Sequence, residues 1–121
     1  MKLEEFSKFV DDLEQKYSLR VSTQNLRALH ATLGICGEAG ELVDIVKKQF
    51  AYGKEVDVVH LAEEMGDVFH YLIMLSNIYG LNFNEIVDAN VRKLKARYPT
   101  GFSEERALNR DLEKEKRELN K

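Results

Sequence analysis

The chain has 121 residues, which is enough for one domain with its own core but few enough that oligomerisation would help to bury apolar surface. It is 44% hydrophobic and 32% charged, with one proline and seven glycines, a composition that suits an all-helical protein. The formal charge of −3 argues against a nucleic-acid polymer as the main partner. The lone Cys36 excludes an intramolecular disulfide and a cysteine zinc site. No segment resembles a signal peptide or a membrane span, so a cytoplasmic protein without a membrane partner is expected.

Hydrophobic spacing along the chain predicts a succession of helices. In chain order they cover about residues 3–17, then a helix that follows a cap at Ser22 or Thr23 and runs to about Phe50, then about 58–79 and 83–98, followed by a last helix from Ser103. A charged C-terminal helix or tail is predicted at about 103–121, and beyond Asn109 it is expected to be mostly a solvated helix or a fraying tail. These elements predict a single all-α domain, residues 1–121 with its core at about 24–105. We expect a helical bundle built on a central antiparallel hairpin.

Local signals mark the ends of these helices. Ser22 or Thr23 can cap the second helix, and the segment AYGKEVD separates it from the third. Gly80 suits the position just after the end of the third helix. Asn82, with Glu85 three residues later, resembles a capping box that opens the fourth.

Two pairs of carboxylates are the most informative feature of the sequence. Glu38 and Glu41 in GEAGEL, and Glu64 and Asp67 in EEMGD, have i,i+3 spacing, which places each pair on one helical face. Each pair lies in an otherwise apolar run, where an uncompensated acid costs free energy. Lys54, midway between the pairs, lies in the break AYGKEVD, so an antiparallel hairpin would bring the pairs level. Four facing acids repel one another unless cations lie between them, so the pattern predicts a metal site.

A helical wheel divides the third helix into a core face, a solvated face and a flank between them. Glu63 and His70 fall on the solvated face, whereas Glu64, Asp67 and Tyr71 form a flank that we expect to be covered. The predicted core face consists of Leu61, Met65, Val68, Phe69, Leu72 and Leu75. The corresponding face of the second helix consists of Ile35, Ala39, Leu42, Val43, Val46 and Phe50.

The second helix also contains three glycines within seven residues, Gly34, Gly37 and Gly40. Each costs about 1 kcal/mol relative to alanine in a helix interior. Their clustering therefore suggests that a neighbouring helix or a ligand approaches this backbone closely.

The residue types at the predicted site favour phosphate chemistry. Carboxylate oxygens suit the hard cations Mg²⁺ and Mn²⁺ better than zinc, and Mg²⁺ sites are commonly completed by substrate phosphates and water. Asn90, Lys93 and Arg97 form one stripe of the fourth helix, and Lys48 and Lys54 lie near the hairpin turn. Such cations can bind a phosphate chain, although basic residues late in a helix also favour its dipole.

In combination, GEAGEL, EEMGDVFHYL and NVRKLKARYPTGFS resemble the MazG-like all-α nucleoside triphosphate pyrophosphohydrolases over roughly residues 24–105. The family pattern is ExxE on one helix and ExxD on the next. The resemblance implies Mg²⁺-dependent cleavage of an NTP or dNTP between its α and β phosphates, giving a nucleoside monophosphate and pyrophosphate, with Mn²⁺ as a possible substitute. The implied metal-binding and catalytic residues are Glu38, Glu41, Glu64 and Asp67.

The motifs and the resemblance together also imply which residues bind the substrate and how the chain assembles. The residues expected to bind substrate are Asn90, Lys93, Arg97, Tyr71 and Lys54. Homodimers or homotetramers are expected, in which a second subunit completes the bundle. Many family members have a doubled acid at the start of the first motif, where this chain has Gly37 before Glu38. The number of metal ions, one or several, therefore stays open.

The same residues allow two other classes of helical protein to be considered. A di-iron carboxylate bundle requires two ExxH motifs, and this chain has only Asp67-x-x-His70 without a partner motif. A non-catalytic helical interaction module would use its acids only to cap helices or to pair with basic residues. Such a module would show no rise in melting temperature with Mg²⁺ or Mn²⁺.

Overall fold

A computed structural model of the chain describes residues 22–121, together with Glu5, residues 7–9 and Asp12. The predicted first helix, 3–17, therefore lies largely outside the described residues. The described part is all-α and contains no β-strand, which confirms the predicted fold class. Over 22–121 its helices are α1 (Thr23–Tyr52), α2 (Val58–Ile78), α3 (Phe83–Arg97), α4 (Glu104–Leu108) and α5 (Leu112–Leu119). The chain divides into two compact units, Met1–Ile78 and Tyr79–Lys121.

Local capping determines where α1 begins and ends. The Ser22 side chain accepts a hydrogen bond of 3.1 Å from the N–H of Asn25, as expected for an N-cap. The helix continues two residues past its predicted end at Phe50 and stops at Gly53. Gly53 has a φ of 65°, a left-handed conformation that glycine adopts readily, and its N–H donates to the carbonyl of Gln49 at 3.1 Å.

Helices α1 and α2 form the predicted antiparallel hairpin. The Gln24 side chain, at the start of α1, donates a hydrogen bond of 3.1 Å to the carbonyl of Ile78, at the end of α2. Asp57 opens α2, because its side chain accepts from the N–H of His60 at 3.0 Å. Gly80, with a φ of 63°, follows the end of the helix as predicted.

The buried part of the hairpin agrees only in part with the predicted core faces, since Leu61, Val68 and Leu75 are partly buried whereas other predicted core residues are exposed. Phe50 is 85% exposed and Met65 is 58% exposed, although both were assigned to core faces. Glu64, on the flank of α2 that carries the acids, is buried, and the buried residues of the hairpin are Ala28, Ala31, Ile45, Glu64, Ser76 and Ile78. Both helices are apolar on more than one side, so periodicity alone could not select the contacting face.

In the second unit, α3 begins at Asn82, whose side chain accepts from the N–H of Asn84 at 3.0 Å. The cap bond therefore goes to Asn84 rather than to Glu85, which corrects the predicted capping box. Ser103 caps α4 as predicted, accepting from the N–H of Arg106 at 3.2 Å.

The charged C-terminal segment is folded rather than fraying. Helix α5 packs against α3, and Glu115 is only 4% exposed between the guanidinium groups of Arg97 and Arg110. Most of the segment is an exposed helix, in line with the prediction, and Glu115 is the exception, because an acid in a charged run gives no sign of distant partners. Among the helices that the structure describes, none has the length and hydropathy needed to cross a bilayer.

Candidate metal and active site

Three of the four predicted ligands come together between α1 and α2. Ligand oxygens of Glu38, Glu64 and Asp67 all lie within 4.8 Å of one another. The antiparallel hairpin produces this arrangement, since it places GEAGEL of α1 level with EEMGD of α2. Glu41 is exposed and lies outside this group, although its negative charge acts on Glu38. The site therefore has three converging acids and a fourth beside them.

The electrostatics of the cluster show how a cation would fit it. A hydrogen bond to Glu64 raises the pKa of Glu38, and partial burial and the charges of Glu64, Asp67 and Glu41 raise it further. Converging carboxylates repel one another when they are charged. A divalent cation held between them would compensate that charge. An all-carboxylate donor set of this kind fits Mg²⁺ or Mn²⁺.

His60 was not identified from the sequence, yet it contacts the cluster directly. Its Nε2 lies 2.9 Å from Oε1 of Glu64, which is itself only 9% exposed. The two residues are four apart on α2, so the i,i+4 spacing was the available signal.

Tyr71 is partly buried between the two helices of the hairpin. Its ring occupies the space where a Cβ on Gly34 would lie, so the two helices approach closely at this point. The expected close approach is therefore confirmed for Gly34. For Gly37 and Gly40, an added Cβ would meet nothing within 4 Å in the described part of the chain.

Lys54 lines a cavity of about 210 Å³ at the hairpin turn. The other lining residues are Ile45, Lys48, Glu55, Asp57 and His60. Lys48 is paired with Asp44 at 3.0 Å, which raises the pKa of the lysine. Because His60 belongs both to this cavity and to the contact with Glu64, the cavity adjoins the acid cluster.

The remaining predicted substrate residues, Asn90, Lys93 and Arg97, lie on α3 of the second unit. The Nε and Nη2 atoms of Arg97 donate to the two carboxylate oxygens of Glu115 at 2.6 and 3.0 Å. Arg110 also donates to Glu115, with Nη2 at 2.6 Å. The hydrogen bonds from Arg97 and Arg110 lower the pKa of Glu115 to about 2. One edge of the Arg97 guanidinium is thus already bound within the protein.

Comparison with known families agrees with the motifs. The family model described as the MazG nucleotide pyrophosphohydrolase domain matches residues 26–102. This match covers more than half of the chain, so the chain belongs to the MazG family, as the motifs predicted. The matched region includes all four motif acids and ends before α4 and α5. Neither a curated protein nor a solved structure gives a significant match.

Proposed function

We propose that this member of the MazG family is a Mg²⁺-dependent nucleoside triphosphate pyrophosphohydrolase. In this reaction an NTP or dNTP is cleaved between its α and β phosphates, and a nucleoside monophosphate and pyrophosphate are released. The observation that carries the proposal is the convergence of Glu38, Glu64 and Asp67 from two helices at 4.8 Å or less. Family membership supports nucleotide pyrophosphohydrolysis, and the acid cluster supports its dependence on a divalent metal.

Three of the acids would bind the metal, and the fourth would either bind it too or take part in proton transfer. Glu38, Glu64 and Asp67 form the converging ligand set, whereas Glu41 is exposed beside them. Glu41 can therefore complete the coordination or accept a proton from the attacking water. When bound, Mg²⁺ would supply positive charge to the phosphates and acidify water. Tyr71, packed against Gly34, would fix the spacing between the helices that carry the ligands.

Cationic side chains would bind the phosphate chain. Lys54 lies at the cavity that adjoins the acid cluster, and this position supports a role in contacting the substrate. On α3, Asn90 and Lys93 would add a hydrogen-bonding amide and a positive charge. Arg97 would bind phosphate through the N–H groups that Glu115 does not use, because a guanidinium has five such donors.

We further propose that the protein assembles as a homodimer or homotetramer. An apolar groove of about 520 Å³ on α1 is lined by Leu42, Val43, Val46, Lys47 and Phe50. On α2, Met65 and Phe69 are also more than half exposed. A second copy of the chain would bury these faces and complete the helical bundle.

The test is to incubate the purified protein with Mg²⁺ and a panel of common and modified NTPs and dNTPs, and to separate the products by chromatography. Monophosphate together with pyrophosphate is the expected result. Diphosphate together with orthophosphate would retain the metal site but overturn the proposed cleavage position. Absence of turnover, combined with no metal-dependent rise in melting temperature, would instead favour a helical interaction module.

A further inference from the structure

We propose that His60 is a positioning residue that holds the carboxylate of Glu64 in its metal-binding orientation. The inference rests on the metal site of the proposed function and adds a residue outside the ExxE and ExxD motifs. Nε2 of His60 lies 2.9 Å from Oε1 of Glu64. A carboxylate that binds a metal can only accept hydrogen bonds, so in the metal-bound state Nε2 would be the donor.

Hydrogen bonds to Asp57 hold His60 in the first turn of α2. Its backbone N–H donates to the side chain of Asp57 at 3.0 Å, and the N–H of Leu61 donates to the carbonyl of Asp57 at 2.9 Å. These bonds fix the first turn of α2, from which the imidazole extends along the helix. The i,i+4 spacing then brings the ring to Glu64 within one helix, without any adjustment between helices.

Glu64 is the acid for which such support has the greatest effect. It is 9% exposed and lies in the group formed with Glu38 and Asp67. Its interaction with Glu38 is also the largest cause of the raised pKa of Glu38. A bond from His60 to Oε1 restricts rotation of the carboxylate. The site is therefore more nearly arranged for a cation before the cation arrives, which lowers the ordering cost of binding.

The experiment measures Mn²⁺ binding by isothermal titration calorimetry at one fixed pH, without nucleotide. In His60→Leu, which cannot donate, we expect the affinity to fall about tenfold, a loss typical of removing a residue that orients a ligand. His60→Gln keeps an N–H donor and should recover most of the affinity. His70→Leu is the matched control, because His70 is exposed on the same helix, and it should bind Mn²⁺ as the wild type does. Circular dichroism of each metal-free variant checks that α1 and α2 are intact.

Two results would overturn the proposal. Wild-type affinity in His60→Leu would show that the contact does not orient Glu64. Equal losses in His60→Leu and His60→Gln would show that the imidazole itself is required, as it would be for a direct ligand. A different result would show that the proposed metal site itself is wrong. In that case the wild-type protein would bind no Mn²⁺ at all, and the substitution Glu64→Gln would change nothing.

Discussion

The ring of Tyr71 fills the space beside Gly34 where any larger residue would place its Cβ. This contact brings α1 and α2 together in the part of the hairpin that also carries Glu38 and Asp67. The Tyr71 side chain is partly buried there, with its ring centroid 5.0 Å from that of His70 and 6.0 Å from that of His30. Packing of the hairpin and geometry of the site are thus linked through one glycine.

Substitution of Gly34 with alanine should destabilise the protein. The added methyl group would overlap the Tyr71 ring, and overpacking of this kind typically costs about 1–3 kcal/mol. Urea unfolding followed by circular dichroism measures the change in the free energy of unfolding. Gly37→Ala is the matched control, because its Cβ would meet nothing within 4 Å in the described chain. That control should be neutral or stabilising by up to about 1 kcal/mol, and equal losses in both variants would contradict the packing explanation.

Neutralising Glu64 should remove activity while leaving the fold intact. Glu64→Gln keeps the shape of the side chain but loses the charge that the metal requires, so we expect turnover to fall by at least about 100-fold. The stabilisation of the wild type by Mg²⁺, measured as a rise in melting temperature, should also disappear. Asp67→Asn should behave similarly.

The adjacent Glu63 provides the control for these two variants. It is exposed, on the face of α2 that the wheel assigned to solvent, and Glu63→Gln should change activity little. A loss in Glu63→Gln as large as that in Glu64→Gln would show that the negative charge of the whole segment, rather than a specific ligand set, supports activity.

The sequence predicted the features that depend on local spacing. Ser103 caps a helix as expected, and so does Ser22, one of the two candidates for its helix, because an N-cap depends on residues within one turn. The convergence of Glu38, Glu64 and Asp67 was predictable, because the i,i+3 spacing of the acids and their symmetry about the hairpin turn can both be read from the chain. Assignment to the MazG family follows from the same motifs.

Features that depend on contacts between distant residues were not predicted. Met65 was assigned to the core, but it is exposed because the hairpin closes through the flank that carries Glu64. Burial of Glu115 requires Arg97, which is 18 residues away, and a charged run contains no signal for such a pair. The contact between His60 and Glu64 is different, because their i,i+4 spacing on one helix is visible in the sequence.

Lys93 should contribute to substrate affinity. We expect Lys93→Gln to raise KM for a triphosphate about tenfold, because a charge-assisted contact to phosphate would be lost. The kcat value should change less, since the metal ligands are untouched. Lys95→Gln is the matched control, because Lys95 is an exposed lysine two residues away on the same helix. Equal rises in KM for both variants would indicate a general effect of charge instead of a specific contact.

The carboxylate of Glu115 should make the protein sensitive to acid. The hydrogen bonds from Arg97 and Arg110 lower its pKa from the usual 4.5 to about 2, so the folded state favours the charged form. The resulting stabilisation is fully present above about pH 4.5, and it is lost as the pH falls towards 2. Wild-type protein should therefore be more stable than Glu115→Gln near pH 7, and this difference should shrink progressively below pH 4.5.

Urea unfolding at a series of pH values measures that difference directly. Glu118→Gln is the comparison, because Glu118 also lies on α5 and pairs with Lys121 at 2.7 Å, but in a more exposed position. Exposed pairs of this kind contribute little to stability, so its effect should be small at every pH. If the difference between wild type and Glu115→Gln stayed constant from pH 7 to pH 3, the buried carboxylate would not be held in its charged form by Arg97 and Arg110. Helix α5 would then be attached to α3 mainly by its other contacts.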